Sequence, residues 1–299
     1  LALAIKLDLD WIALSFIQTN KDLISAKKLI PSKFKVMVKV EKPSAMKELS
    51  EITKNSDGIM VARGDLGVET NPEDVPIHQR SMVAECRKQG KPCIIATQML
   101  ESMIESPTPT RAEASDVATA IFQGVDAVML SAESAAGKFP VESVSMMNKI
   151  IIRVESDDKY RNNLKTFELS HSNSSAEAIA TAAFNVAGII NSNCLVAFSS
   201  SGRSILRCAR MRPDVTLLGL TTNPKVARQN ALTWGTVMDV VDEISTSTEM
   251  VDRACRVVKK FKISKPGSQI IITAGVPFGK VGSTNIMRIA TIIKDKDLT

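Results

Sequence analysis

Short apolar runs rich in β-branched residues recur along the first 150 residues, each followed by a longer stretch with helical period. Trp11–Phe16, Lys35–Val40, Gly58–Ala62, Cys93–Thr97 and Ala127–Leu130 read as strands. Asn20–Leu29, Ser44–Thr53, Ile77–Gln89 and Arg111–Gln123 read as the helices between them. Strands that return to a sheet in the same direction need a long crossover, usually a helix, so this rhythm predicts βαβ units and a parallel sheet. The stretch Glu155–Ser175, ESDDKYRNNLKTFELSHSNSS, loses the rhythm and reads as a connection. Alternation then resumes. Ala176–Gly188, Arg203–Met211, Lys225–Leu232 and Glu249–Phe261 read as helices. Leu195–Ser199, Thr216–Leu220, Thr236–Val241, Gln269–Thr273 and Met287–Ile293 read as strands. The expected organisation is one α/β unit over 1–155, a connection over 156–175 and a second α/β unit over 176–299.

Composition narrows the function classes. No apolar run reaches the ~18 residues of a membrane span, and the opening stretch is broken by Lys6, Asp8 and Asp10, unlike a secretory signal. The formal charge is +6, but the basic residues are dispersed and aromatics make up only 4%, which argues against nucleic acid as partner. Five cysteines, Cys86, Cys93, Cys194, Cys208 and Cys255, form no CxxC pair, so reduced thiols in a cytoplasmic protein are expected. With only His78 and His171, a histidine metal cluster is not available, and both read as ordinary helix-start and linker residues. The first residue is Leu, so the chain is expected to be part of a longer one.

Ligands of parallel α/β folds meet the carboxyl ends of the strands. Each of the first five apolar runs ends in a polar set: Ser15 with Phe16, Lys39 with Glu41, Arg63-Gly64-Asp65, Thr97 with Gln98, and Ser131 with Glu133. Lys39 and Glu41 are two apart in a strand and share a face, opposite Val38 and Val40. Such a pair is equally a plain salt bridge, and Asp65 equally a turn or cap residue. Together Glu41 and Asp65 offer two hard oxygen ligands of the kind Mg²⁺ takes, and the adjacent Lys suits phosphoryl transfer. No GxxxxGK[ST] and no GxGxxG occurs, which excludes a P-loop and a dinucleotide fingerprint.

The strings MVKVEKPSA, DGIMVARGDLGVE, IIATQMLESMI and SPTPTRAEASDVA, continued by GVDAVMLSAESAAGKFPVE, resemble the pyruvate kinase family in order and spacing. The likeness runs on through AFSSSGRS and GLTTNPKVARQNAL. It implies a partial TIM (β/α)8 barrel, formed by the later barrel strands, followed by a separate three-layer α/β regulatory domain. It implies transfer of the phosphoryl group of phosphoenolpyruvate to ADP, giving pyruvate and ATP, the last step of glycolysis. On these positions the resemblance makes Lys39 the residue beside the transferring group, and Glu41 and Asp65 the ligands of Mg²⁺ or Mn²⁺. Gly64 and Asp65, by their amides, and Thr97 would hold the substrate carboxylate, with Thr97 and Ser131 on the proton path to the enolpyruvate carbon. Arg63 is expected to be structural, and Ser15 to lie near the potassium region. K⁺ dependence and a homotetramer also follow from the resemblance. It further implies that the substrate-phosphate arginine, most K⁺ ligands and most nucleotide contacts lie upstream of Leu1. Two departures from the family pattern are Lys42, where Asn is frequent, and Ser-Ala-Glu-Ser at Ser131–Ser134, where Ser-Gly-Glu-Thr is frequent.

In the second unit, SSSGRS (Ser199, Ser200, Ser201, Gly202, Arg203, Ser204) stands between a strand and a helix, where hydroxyls and amides make either an anion site or a serine-rich cap. The resemblance implies a cradle for a phosphorylated effector, faced by Lys280 and the turn Gly279–Thr284. Thirteen methionines, Met99, Met103, Met146 and Met147 among them, read as core filler, and Trp234 as packing or an effector-loop residue. Two other readings remain at this stage: a Mg²⁺-dependent lyase of the phosphoenolpyruvate/pyruvate type, and a regulatory or assembly segment without turnover.

Overall fold

The computed structural model describes residues 1–165, 174–278, 282 and 284–293. His171, Gly279, Lys280, Val281 and Ser283 lie outside the described residues. The chain divides into two compact units, Leu1–Leu169 and Ser170–Thr299.

The first unit is built on a five-stranded parallel sheet in sequential order: β1 (Trp11–Leu14), β2 (Lys35–Val40), β3 (Gly58–Ala62), β4 (Cys93–Ala96) and β5 (Ala127–Met129). Period-two alternation sorts the side chains. Val36, Val38, Val40, Ile59, Val61, Cys93 and Ile95 face one buried cluster with the surrounding helices. Met37, Lys39, Met60 and Ile94 alternate with them and so take the opposite face of the sheet. The strands keep the expected positions to within one or two residues, and β2 and β3 to the residue.

The helices begin and end where local chemistry says they should. Thr19 caps Asn20–Lys27 and Thr110 caps Arg111–Phe122, each with an acidic residue three positions on that returns a bond to the cap N–H. Each cap contributes roughly 1 kcal/mol. Gly90, in the left-handed region at φ 66°, ends Val75–Gln89. The helix expected over Ser44–Thr53 is two, Pro43–Lys47 and Leu49–Asn55, because Glu48 leaves helical geometry at φ −115°. Pro140 opens a further helix, Pro140–Glu155, that the strand-and-helix rhythm did not separate out.

A larger difference lies in the stretch read as a connection. Asp158–Lys165 is a helix, and Tyr160 and Leu164, four apart and so on one face, are buried in the core of the first unit. The Tyr160 ring stands edge-on to Phe122 at 6.0 Å, and Arg87 Nη2 donates to the Leu164 carbonyl at 2.7 Å. Two anchors in a charged octapeptide are too few to register as a period.

The second unit has sheet order β10-β9-β6-β7-β8, with β6 (Cys194–Phe198), β7 (Thr216–Thr221), β8 (Thr236–Val240), β9 (Gln269–Gly275) and β10 (Thr284–Thr291). All neighbours are parallel except β10 with β9. Alternate residues feed two cores. Cys194, Val196, Leu218 and Ile272 pack with Met250, Ala254 and Val258 of helix Ser247–Lys260. Leu195, Ala197, Leu217 and Ile271 pack with Ala180, Ala183, Ile205 and Ala209 of helices Ser175–Ile189 and Arg203–Arg210. The unit is therefore three layers, helix, sheet and helix. Among the described residues no helix is long and apolar enough to cross a membrane. All five thiols are free and buried, and burial pushes those of Cys194 and Cys208 up to about 12.

The tight fit of helix Asp158–Lys165 carries a prediction. A Cβ at Gly124 would stand 2.8 Å from Leu164 Cδ2, so little room exists for collapse around a smaller side chain. Leu164→Ala is expected to destabilise the first unit by about 2–4 kcal/mol, read from chemical denaturation. A change under about 0.5 kcal/mol would mean that the helix is not part of this core.

Candidate active site

Parallel strands in register bring the residues that follow them into one line. Leu14 pairs with Val38, Val40 with Val61, Ala62 with Ala96, and Ala96 with Met129. Ser15 therefore stands beside Lys39, Glu41 beside Ala62, and Arg63 beside Thr97, with Ser131 two residues past the end of β5. The polar sets that close the five apolar runs are neighbours at one edge of the sheet.

At this edge the Glu41 carboxylate is only 1% exposed, and such a charge must be compensated. Oε1 meets Lys39 Nζ at 2.5 Å, and Oε2 accepts the Phe16 N–H at 2.8 Å. Lys39 Nζ also donates to Ser15 Oγ at 3.1 Å. Phe16 sits at φ 60°, a conformation that costs a residue of this size about 1–3 kcal/mol and that its bond to Glu41 helps to hold. Lys42 is drawn instead to Glu69 at 2.5 Å and lies over the Phe16 ring.

The residues after β3 do not form an open turn. Arg63–Glu69 is a short helix with Gly64 and Asp65 in its first turn. The Gly64 N–H donates to Thr97 Oγ1 at 2.8 Å, and that hydroxyl donates to the Ala96 carbonyl at 2.6 Å. The Asp65 carboxylate is exposed and has no partner among the described residues.

Arg63 is buried and does more than fill a turn. Its Nη2 donates to the carbonyls of Thr97 at 2.8 Å and Gln98 at 2.9 Å, and Nη1 meets Asp116 Oδ2 at 2.5 Å. Thr97 and Gln98 both lie in the left-handed region, at φ 69° and 54°, where a β-branched Thr is a true outlier. The guanidinium fork holds this strained pair against helix Arg111–Phe122. Glu133 plays a similar part after β5: buried, it accepts the Ser131 N–H at 2.7 Å and the Leu100 N–H at 3.2 Å. The Ser131 hydroxyl is left without a hydrogen bond among the described residues. Sequence reasoning named Arg63 and Glu133 but not their partners, and Asp116 not at all.

No group of three or more His, Cys, Asp and Glu side chains gathers to hold a metal among the described residues. Glu41, fixed by its partners, and Asp65, free among the described residues, are two hard oxygen donors at this edge, and Glu133 is turned to backbone amides.

In the second unit the serine loop lines a cleft of about 170 Å³. Two of its hydroxyls are already bonded. Ser199 Oγ accepts the Ser204 N–H at 3.4 Å, and Ser204 Oγ pairs with Thr284 Oγ1 at 2.6 Å. Ser200, Ser201 and Arg203 line the same cleft, as do Gly282 and Thr284 of the later loop. Gly202 caps the helix at φ 79°.

The pyruvate kinase barrel-domain model matches residues 1–144, and the pyruvate kinase alpha/beta-domain model matches residues 177–290. The chain belongs to the pyruvate kinase family. A pyruvate kinase of Agrobacterium vitis is 45% identical over 298 residues, covering 100% of this chain and 62% of the relative. One of Geobacillus stearothermophilus is 38% identical over 292 residues, covering 96% of this chain and 50% of the relative. The crystal structure of a pyruvate kinase from Cryptosporidium parvum matches with a TM-score of 0.88 at 33% identity, over 97% of this chain and 60% of that one. The chain thus spans about half to three fifths of the length of these pyruvate kinase relatives. The barrel match starts at residue 1 and the first strand at Trp11.

Gly202 has a reason in this pyruvate kinase fold beyond its φ. A Cβ there would stand 2.2 Å from Asn230 Nδ2, and Asn230 is buried and bonded to the Val226 carbonyl at 2.8 Å. Gly202→Ala is expected to destabilise the second unit by about 1–3 kcal/mol in chemical denaturation. Adding Asn230→Ala should remove the steric part, leaving a coupling of at least about 0.5 kcal/mol. Strict additivity would show that the contact carries no weight.

Proposed function

We propose that the protein is a pyruvate kinase that moves the phosphoryl group of phosphoenolpyruvate to ADP, yielding pyruvate and ATP. The observation that carries this reading is the shared strand-end edge holding Lys39, Glu41, Arg63-Gly64-Asp65 and Thr97, with Glu41 buried against Lys39. We also read the five strands as part of an eight-stranded barrel, with further strands pairing at β1 and β5, the sheet edges.

Phosphoenolpyruvate is a polyanion, and its phosphoryl group carries spread negative charge through a loose transition state. Lys39 is a compact cation held in place by Glu41 and Ser15, so it stabilises that charge and the enolate left behind without reorganising. Glu41 and Asp65 would hold Mg²⁺ or Mn²⁺, which takes one or two carboxylates with water and substrate oxygens and supplies positive charge to the phosphoryl and carboxylate oxygens. A pair of carboxylates, one fixed and one free to turn, fits that requirement. The first turn of helix Arg63–Glu69 offers the Gly64 and Asp65 amides to the substrate carboxylate. For that, the Gly64 N–H has to exchange its bond to Thr97. Ser131, whose hydroxyl is uncommitted, and Thr97 pass a proton to the enolpyruvate carbon.

The second unit, on this reading, is regulatory, with Ser199, Ser200, Ser201, Gly202, Arg203 and Ser204 around a phosphorylated effector. K⁺ as a monovalent partner, a homotetramer and a cytoplasmic location complete the proposal. The five buried thiols favour a reducing compartment.

Lys39→Met is expected to lower kcat by at least ~10²-fold with a modest change in substrate KM, the pattern of a group needed in the transition state. Near-normal kcat would remove Lys39 from the chemistry. Glu41→Gln and Asp65→Asn should each raise the Mg²⁺ concentration that gives half-maximal activity, and their effects should not add, since they share one ion. Unchanged Mg²⁺ titrations in both variants would put the metal elsewhere.

A further inference from the structure

The helix that carries Asp65 is held differently at its two ends. Helix Arg63–Glu69 follows β3 directly, and Ala62 at its start offers no capping side chain. Its near end is tied to the next strand by Arg63, bonded to the Thr97 and Gln98 carbonyls, and by the Gly64 N–H on Thr97 Oγ1. At its far end, among the described residues, one side-chain bond serves it: Glu69 Oε1 meets Lys42 Nζ at 2.5 Å. Lys42 follows Glu41 in the chain, and its Nζ also lies over the Phe16 ring, 5.9 Å from the centroid. Phe16 is the residue whose N–H holds Glu41 Oε2.

Asp65 and Glu69 are four apart, so they stand on one face of the helix, about 6 Å from each other along its axis. The Lys42–Glu69 pair therefore joins the same two segments that carry Glu41 and Asp65. The sheet alone does not set the spacing of those carboxylates: β2 and β3 pair as far as Val40 with Val61, and both ligands lie beyond. An ion of Mg²⁺ size demands near-ideal octahedral geometry, so a variable spacing between two of its ligands lowers affinity. As a stabilising contact, a pair whose side chains are 26% and 42% exposed contributes little. Its placement gives it another use.

We propose that Lys42 and Glu69 are positioning residues for the divalent ion: their pairing ties the end of β2 to helix Arg63–Glu69 and so presets the spacing of Glu41 and Asp65. They act through those two carboxylates, not by ligating the ion. The inference rests on the metal reading of Glu41 and Asp65 given above, and it adds the pair that spaces them. The pair is neutral as a unit, so its effect on a bound cation comes through geometry rather than net charge.

Titration of the intact protein with Mn²⁺, without substrates, tests it, with free Mn²⁺ followed by electron paramagnetic resonance. A neutral pair, Lys42→Met with Glu69→Gln, removes the tie and leaves the net charge unchanged. It should bind Mn²⁺ about two- to fivefold more weakly, the range that a partly exposed ion pair supplies. The reversed pair, Lys42→Glu with Glu69→Lys, restores the tie at the same net charge and should bind more tightly than the neutral pair. A thermal melt of each double variant checks that it folds. Asp65→Asn is the reference and should weaken Mn²⁺ binding on its own. Unchanged affinity in the neutral pair, or a folded reversed pair as weak as the neutral one, would overturn the positioning role and leave the metal reading standing. Failure of the unaltered protein to bind Mn²⁺, or undiminished binding in Asp65→Asn, would overturn both.

Discussion

The register of the first parallel sheet is the constraint on which the rest depends. Side chains alternate with a period of two, so a slip of one residue in β2 would turn Lys39 into the helix layer and Val38 or Val40 out of it. Burying an ammonium among Ile52, Ile59 and Ile95 would be far more costly than any local gain. The valines of β2 thereby fix the face of Lys39, and the pairs Val40↔Val61 and Ala62↔Ala96 fix which residues come next at the carboxyl edge. The hydrophobic pattern of the strands and the chemistry beyond them are one specification.

Past the strand ends, charge replaces apolar packing as the organising force. Arg63 and Glu133 are both buried, and each is satisfied mostly by backbone: Arg63 by two carbonyls, Glu133 by two amides. They join neighbouring strand ends, β3 to β4 and β4 to β5. A buried ion that binds backbone in this way adds little net stability but makes alternative backbone geometries expensive. That is the condition under which Thr97 and Gln98 keep a left-handed conformation. Removing Arg63 would leave two carbonyls and Asp116 unmet at once.

Much of this was legible in the sequence, for definite reasons. β2 and β3 were readable to the residue because KVMVKV and GIMVA are unbroken apolar or alternating runs bounded by polar residues. The candidate residues Glu41, Thr97 and Ser131 are visible because they follow such runs, and Lys39 because it breaks the apolar face of one. What escaped depends on contacts between distant positions. Nothing local announces that Ser204 bonds Thr284, eighty residues on, or that Asn230 closes the space above Gly202. Helix Asp158–Lys165 hid because its stability comes from two anchors, Tyr160 and Leu164, within an otherwise polar stretch.

Divalent-metal-dependent phosphoryl transfer at the edge bearing Lys39, Glu41, Asp65 and Thr97 is the proposal on which the functional reading stands. It is tested most directly by following pyruvate, through a coupled reduction, when the intact protein is given phosphoenolpyruvate and ADP with and without Mg²⁺. Pyruvate and ATP are expected in equal amounts, only with the divalent ion present. Pyruvate formed equally well after chelation, or no pyruvate from folded intact protein at saturating substrates and Mg²⁺, would contradict it.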